Sequence, residues 1–279
     1  MIEVREWSRS DTARLFRAPT AEDDKYARGV VALRTGSPTY PGAAVLGVEA
    51  AWRAGAGFVR YVGAERVADA VLARRPETVV GADVGSSRVG AWVIGSGTDP
   101  SHRTDADCLA LREILAGTTP VVIDAGALDL APGARAPFLV TPHAREFGRL
   151  QERLRVHPHD EDDDRADAAR QVAAKIGGTV LLKGARTLVA DPDGTVIAVE
   201  AGTGWLATAG TGDVLSGVLG AVMAANPGAA LAEVAAAGAW LHGHAARIAA
   251  GVLDGGPGHP IVAMDVAEAL PRAVRDVLG

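Results

Sequence analysis

The chain has 279 residues, 48% of them hydrophobic and 4% aromatic, a balance that excludes disorder and allows one large α/β domain with a sizeable core. Its formal net charge of -6 at pH 7 carries no basic excess, which excludes the usual nucleic-acid binder. The single cysteine, Cys108, excludes an internal disulfide and any cysteine-based zinc site.

The amino-terminal stretch MIEVREWSRSDTARLF is charged throughout and has no apolar signal core, and no run of roughly 18 apolar residues suggests a membrane span. A cytoplasmic protein without membrane or nucleic-acid partners is expected. Short β-branched runs then recur: VVAL at 30–33, FVRYV at 58–62, WVI at 92–94, VVI at 121–123, FLV at 138–140 and TVLL at 179–182. Between the earlier runs lie alanine-rich stretches long enough for helices, such as PGAAVLGVEAAWRAGAG at 41–57. Strands alternating with helices imply βαβ crossovers and a mostly parallel sheet.

The acidic run HDEDDDRAD at 159–167 reads as a solvated loop entering a helix, with Asp163 or Asp164 as cap. TLVA at 187–190 and TVIAV at 195–199 flank DPDG, a turn signal, and read as a hairpin. Val214, Leu215, Val218, Leu219 and Val222 follow helical spacing towards a stop at Asn226-Pro227-Gly228, and 229–251 offers a second long helix. No linker divides the chain, so residues 1–279 are expected to form a single domain.

AGTGD at 209–213 is the strongest local signal. Gly210 and Gly212 let backbone N–H groups point together at one anion, and the following helix adds its positive end. Asp213 then has two readings: a helix cap after a flexible turn, or a base that takes a proton from a hydroxyl attacking a phosphate. Lys183, in KGART after TVLL, either reaches phosphate oxygens or belongs to a surface turn. In TPHAREF at 141–147, Glu146 either holds a water on Mg²⁺ or completes a capping box. Asp124, after VVI, is either a ligand-facing acid or a turn former.

The glycine-rich turns GSPTYPGAA at 36–44 and GSGT at 95–98 also follow strands, and ligands of open α/β sheets bind along that edge. HPH at 157–159 and HGH at 242–244 do not suggest zinc, because a two-residue spacing on a helix sends the rings to different faces. No G-x-S-x-G elbow and no G-x-G-x-x-G fingerprint after the first strand is present.

Taken in order, PGAA, GSG, DAGAL, TPHxxEF, LKGAxT, LATAGTGD and MDVAEALP resemble the ribokinase-like superfamily and, within it, the NAD(P)H-hydrate dehydratases, from about Lys25 to Pro271. The resemblance implies a three-layer α/β sandwich with a mostly parallel central sheet flanked by helices. It implies a lyase of nucleotide repair that dehydrates the S form of hydrated NADH or NADPH at the expense of ADP, giving AMP and phosphate, with ATP as the other donor. Ala43, Gly97, His143 and Asp213 fall where the family contacts the hydrated dinucleotide. Lys183, Gly184, Ala185, Arg186 and Thr187 match its adenine-nucleotide segment, with Gly210, Thr211 and Gly212 as the anion hole. Asp213 matches the catalytic aspartate, and Mg²⁺ is implied with Glu146 as an indirect, water-mediated ligand.

The chain departs from many relatives at EAGTGWL, 200–206, where Trp205 is expected to reshape one wall of the pocket. Some relatives carry a fused epimerase domain for which this chain has no room, so epimerisation is expected from a separate protein. A homo-oligomer is also expected, tetramers being frequent among relatives, with alanine-rich helices such as 229–251 packed between subunits. Two other functions compete. A small-molecule kinase of the same superfamily, acting on a vitamin-precursor alcohol, shares AGTGD, but His143 and PGAA favour the dehydratase. A non-catalytic nucleotide sensor is disfavoured by the intact Asp213 beside its glycines.

Overall fold

The computed structural model describes residues 3–85, 88–156 and 162–279. The HPH stretch at 157–159 and the side chains of Asp163 and Asp164 lie outside what is described.

The strands are β1 (Arg5–Glu6), β2 (Val30–Arg34), β3 (Phe58–Val62), β4 (Val79–Gly81), β5 (Ala91–Ile94), β6 (Val121–Ile123), β7 (Phe138–Val140), β8 (Thr179–Leu182), β9 (Thr187–Ala190) and β10 (Val196–Val199), and all but β1 and β4 fall on the expected apolar runs. Among the described residues they join one sheet in the order β1-β10-β9-β8-β7-β6-β5-β2-β3-β4. From β8 to β4 every neighbouring pair is parallel. The expected hairpin, β9 and β10, is antiparallel, and β1 joins its outer edge in parallel. β1 and β4 carry no strong apolar signal and are additions to the sequence reading.

The helices are α1 (Arg9–Ala13), α2 (Pro41–Arg53), α3 (Glu65–Arg74), α4 (Asp105–Ala116), α5 (Ala144–Leu154), α6 (Asp162–Ile176), α7 (Thr211–Ala225), α8 (Leu231–Ala249) and α9 (Ala263–Leu278). The central strands are buried on both faces, so alternate side chains enter different cores. Leu139, Leu181 and Val122 pack into the layer holding residues of α2, α7, α8 and α9, whereas Val140, Leu182 and Ile123 pack into the layer holding residues of α4, α5 and α6. This is the three-layer sandwich expected from the sequence.

Two details position the upper layer. A β-carbon on Gly217 of α7 would lie 2.2 Å from the Gly47 carbonyl oxygen of α2, so these helices meet backbone to backbone. Glu49 of α2 is fully buried and accepts from Arg53 and Arg75, with Arg74 3.4 Å away, which ties α2 to the end of α3. Burial opposes the charge on Glu49, but the Arg75 and Arg53 guanidiniums outweigh it and hold the carboxyl down to about 2. The alanine face expected between subunits is spent within the chain: Ala235, Ala236, Ala245 and Ala246 of α8 are buried in the core shared with α7 and α9.

Gly217→Ala should therefore destabilise the fold by about 1–3 kcal/mol, since the methyl group must push α2 and α7 apart. Thermal unfolding would show a Tm lowered by several degrees, at roughly 2–4 °C per kcal/mol for a chain of this size class. An unchanged Tm would contradict the backbone contact.

Candidate active site

Parallel strands deliver their carboxyl ends to one edge, and four neighbours each present a polar residue there. Ser96 follows β5, Asp124 follows β6, Thr141 follows β7 and Lys183 follows β8. Asp124 is 2% exposed and collects the other three. The Thr141 hydroxyl donates to its Oδ1 at 2.6 Å, Ser96 to its Oδ2 at 2.9 Å, and the Lys183 ammonium to Oδ1 at 3.1 Å. Burial works against the Asp124 charge, yet the Lys183 ammonium and the hydroxyl bonds prevail and hold the carboxyl below its ordinary value.

The AGTGD stretch opens α7 beside this group. Gly210 is its N-cap at φ 89°, a left-handed conformation that side chains other than glycine resist. No side chain caps the mouth, so the N–H groups of the first turn remain available to an anion. The cap reading of Asp213 is thereby removed. The Thr211 hydroxyl donates to the Leu206 and Thr208 carbonyls at 3.1 and 3.0 Å, which pins the turn. Gly212 is helical and needs no special backbone angles, but its open side matters: a β-carbon there would stand 3.4 Å from Lys183 Nζ. The ammonium thus hangs over the mouth of α7. Asp213 is pushed up to about 6, chiefly by burial and secondly by the Asp124 charge, with Lys183 opposing.

A cavity of about 500 Å³ opens on this mouth. Lys183, Gly184, Ala185 and Thr187 line it, and Thr211 and Gly212 meet them there. His143 closes the same cavity. Its Nδ1 accepts from the backbone N–H groups of Arg145 and Glu146 at 3.1 and 3.3 Å, while its backbone N–H donates to Glu146 Oε2 at 2.8 Å. The capping-box reading of Glu146 therefore holds, and the same carboxylate lies 4.0 Å from Lys183 Nζ. Ala43 and Gly97 meet each other at the amino end of α2. Gly97, at φ 66°, has room for no side chain, because a β-carbon would stand 2.3 Å from the Ala43 methyl. Gly210 leans on Leu46 of that helix, and a β-carbon on Gly47 would stand 3.6 Å from the Asp213 carbonyl oxygen; Asp213 itself is not among the residues that line the Lys183 cavity.

Two expectations need correction. Arg186 is not among the residues that line the cavity; its guanidinium turns to the outer sheet edge, paired with Glu6 and, at 3.0 Å, with Glu200. Trp205 does not form the pocket wall either. Its indole N–H donates to the Pro257 carbonyl at 2.9 Å, and Gly202, Thr203, Gly204 and Leu206 of the same loop line the cavity instead. The rings of HGH diverge as helical spacing requires: His244 stacks on Trp240 and lies 3.1 Å from Asp276, whereas His242 turns to the cavity. His242 is buried, which pushes it down to about 4 and keeps it neutral. The sequence reading missed its place at the cavity, as it missed the bond between Asp124 and Lys183.

The mostly parallel sheet between two helical layers, with an uncapped glycine-led helix at its carboxyl edge, is a three-layer α/β fold. It is shared with a ribokinase-like superfamily protein of Enterococcus faecalis at a TM-score of 0.82 and 23% identity, over 98% of this chain and 96% of that one. The sequence pattern described as NAD(P)H-hydrate dehydratase matches residues 31–252, and the chain belongs to that family. The bifunctional NAD(P)H-hydrate repair enzyme Nnr of Mycobacterium tuberculosis is 42% identical over 195 residues, 67% of this chain and 39% of that relative. The chain thus spans well under half the length of this bifunctional relative. The ADP-dependent (S)-NAD(P)H-hydrate dehydratase of Neisseria meningitidis is 38% identical over 265 residues, covering 86% of each chain. The crystal structure of the ADP/ATP-dependent NAD(P)H-hydrate dehydratase from Bacillus subtilis, co-crystallized with ATP/Mg²⁺, matches with a TM-score of 0.83 at 27% identity. It covers 99% of this chain and 100% of that one.

Gly212→Ala should leave the fold intact, because its position is helical, yet place a methyl group between the first-turn N–H groups and the ammonium. Calorimetric titration with ADP should show an affinity lowered by about tenfold, equivalent to about 1.4 kcal/mol. Unchanged affinity would mean that no phosphate rests at this mouth.

Proposed function

We propose that the chain dehydrates the S form of hydrated NADH or NADPH, using ADP as phosphate donor and releasing AMP and phosphate. The observation that carries this reading is Asp213: a partly buried carboxylate of raised proton affinity in the first turn of an uncapped helix whose mouth opens on the Lys183 cavity. Family membership and the names of the relatives support the substrate.

In this reading the adenosine lies along Lys183, Gly184, Ala185 and Thr187. The terminal phosphate rests on the first-turn N–H groups of α7, where partial positive charge and the Lys183 ammonium offset the negative charge of transfer. Asp213 accepts the proton of the hydrate hydroxyl as its oxygen attacks the phosphorus and the bond to AMP breaks. The new phosphate ester is then a leaving group: the C–O bond breaks, phosphate departs, and loss of the neighbouring proton re-forms the nicotinamide double bond. Ala43, Gly97 and His143 hold the dinucleotide.

Phosphoryl transfer calls for Mg²⁺, which neutralises phosphate charge and retains most of its waters. Among the described residues no three His, Cys, Asp or Glu side chains converge, so the donors fit an indirect site rather than a protein cage. Glu146, whose Oε2 accepts from the His143 backbone N–H, would hold Mg²⁺ indirectly, through a water. The ten strands in one sheet support a single domain over 1–279. The word bifunctional in the mycobacterial relatives' names supports a second repair activity, the epimerase, working alongside. A cytoplasmic homo-oligomer completes the reading; no helix of the described residues is long and apolar enough to cross a membrane.

Incubation with hydrated NADH plus ADP should restore the absorbance of reduced nicotinamide, and Asp213→Asn should lower kcat on the order of 10²–10⁴-fold while still binding ADP. Near-native turnover by that variant would remove Asp213 as the base. The kcat/KM should be higher with ADP than with ATP, as the name of the Neisseria relative suggests. A preference for ATP would overturn the donor and leave the dehydration standing.

A further inference from the structure

We propose that Asp124 is a positioning residue that anchors the Lys183 ammonium over the mouth of α7, where the transferred phosphate rests. The inference builds on the functional reading above. A lysine side chain has a flexible four-carbon stem and loses rotamer freedom when its ammonium is held in place. Here its Nζ is held 3.1 Å from Asp124 Oδ1 and close enough to Gly212 that a β-carbon there would stand 3.4 Å away. One of the three ammonium donors is spent on the carboxylate, which leaves two for phosphate oxygens.

Asp124 cannot serve the phosphate itself. It is 2% exposed, it is an acceptor, and its charge repels an anion. Its own aim is fixed by the hydroxyls of Thr141 and Ser96, at 2.6 and 2.9 Å, each from a neighbouring strand end. Those two donors already satisfy a carboxylate that merely tied strands together. The lysine is the partner whose other side faces the cavity, at 22% side-chain exposure. The strand ends therefore transmit the stiffness of the sheet to one mobile cation, which matters because a misplacement of about 1 Å can cost roughly 100-fold in rate.

A double-mutant cycle on ADP affinity, read by calorimetry and needing no turnover, tests this. Asp124→Asn should raise the Kd for ADP about tenfold, and Lys183→Met at least as much. The double variant should bind like Lys183→Met within about twofold, since Asp124 acts through the lysine. Full additivity, or an Asp124→Asn Kd equal to the wild type, would overturn the proposal. If Asp124→Asn does not fold, Thr141→Val and Ser96→Ala replace it in the same cycle. Each should weaken ADP binding when Lys183 is present and not when it is Met; equal effects in both backgrounds would overturn the proposal. Failure of the wild type to turn over hydrated NADH while the cycle holds rejects the dehydratase reading alone. Absence of ADP binding by the wild type rejects both.

Discussion

The backbone contact between α2 and α7 fixes where the chemistry can occur. Gly217 lies against the Gly47 carbonyl, and on another face of α7 Gly220 lies against Val93 and Val31 of the sheet. A helix gripped on two sides by contacts that admit no methyl group cannot slide or roll. Its mouth is thereby set at the carboxyl edge of the sheet, beside the ends of β5 to β8. The left-handed Gly210 then turns the chain sharply into the helix, and the first-turn N–H groups face the Lys183 cavity. Packing in the core, more than any feature of the loop itself, gives Asp213 its position.

The electrostatics follow from that placement. Two carboxylates, Asp124 and Asp213, share the influence of one ammonium, Lys183. Asp124 is hydrogen-bonded on both oxygens and keeps its charge. Asp213, without an ammonium of its own, bears the cost of burial and of the neighbouring negative charge, and its affinity for a proton rises. A carboxyl group with a pKa of about 6 is largely ionised at neutral pH, yet binds a proton more readily than an ordinary aspartate, as the proposed base role requires. Unequal partnering thus gives two nearby acids opposite shifts in proton affinity.

Much of this was legible in the sequence, and the limits have physical causes. The central strands announce themselves as apolar β-branched runs because both faces are buried. β1 does not, since Arg5 and Glu6 are exposed at the sheet edge. The motif order singled out Lys183–Thr187 and Asp213 by local pattern. It could not tell which way Arg186 points, because the rival partners Glu6 and Glu200 come from distant or separate segments. Nor could it join Asp124 to Lys183, 59 residues apart, because that bond exists only once β6, β7 and β8 align. The glycines of AGTGD were read as a pair, whereas the backbone separates them: Gly210 supplies the unusual angle and Gly212 the open space.

The central claim is that Asp213 acts as a base whose proton affinity the site has raised. The pH dependence of kcat/KM for hydrated NADH with ADP reports on it most directly. Because the ionised form is the active one, the rate should be lost as pH falls through about 6 and reach a plateau above it. A rising limb centred near the value of an unperturbed aspartate, about 3.9, or a profile flat through pH 6, would contradict the account.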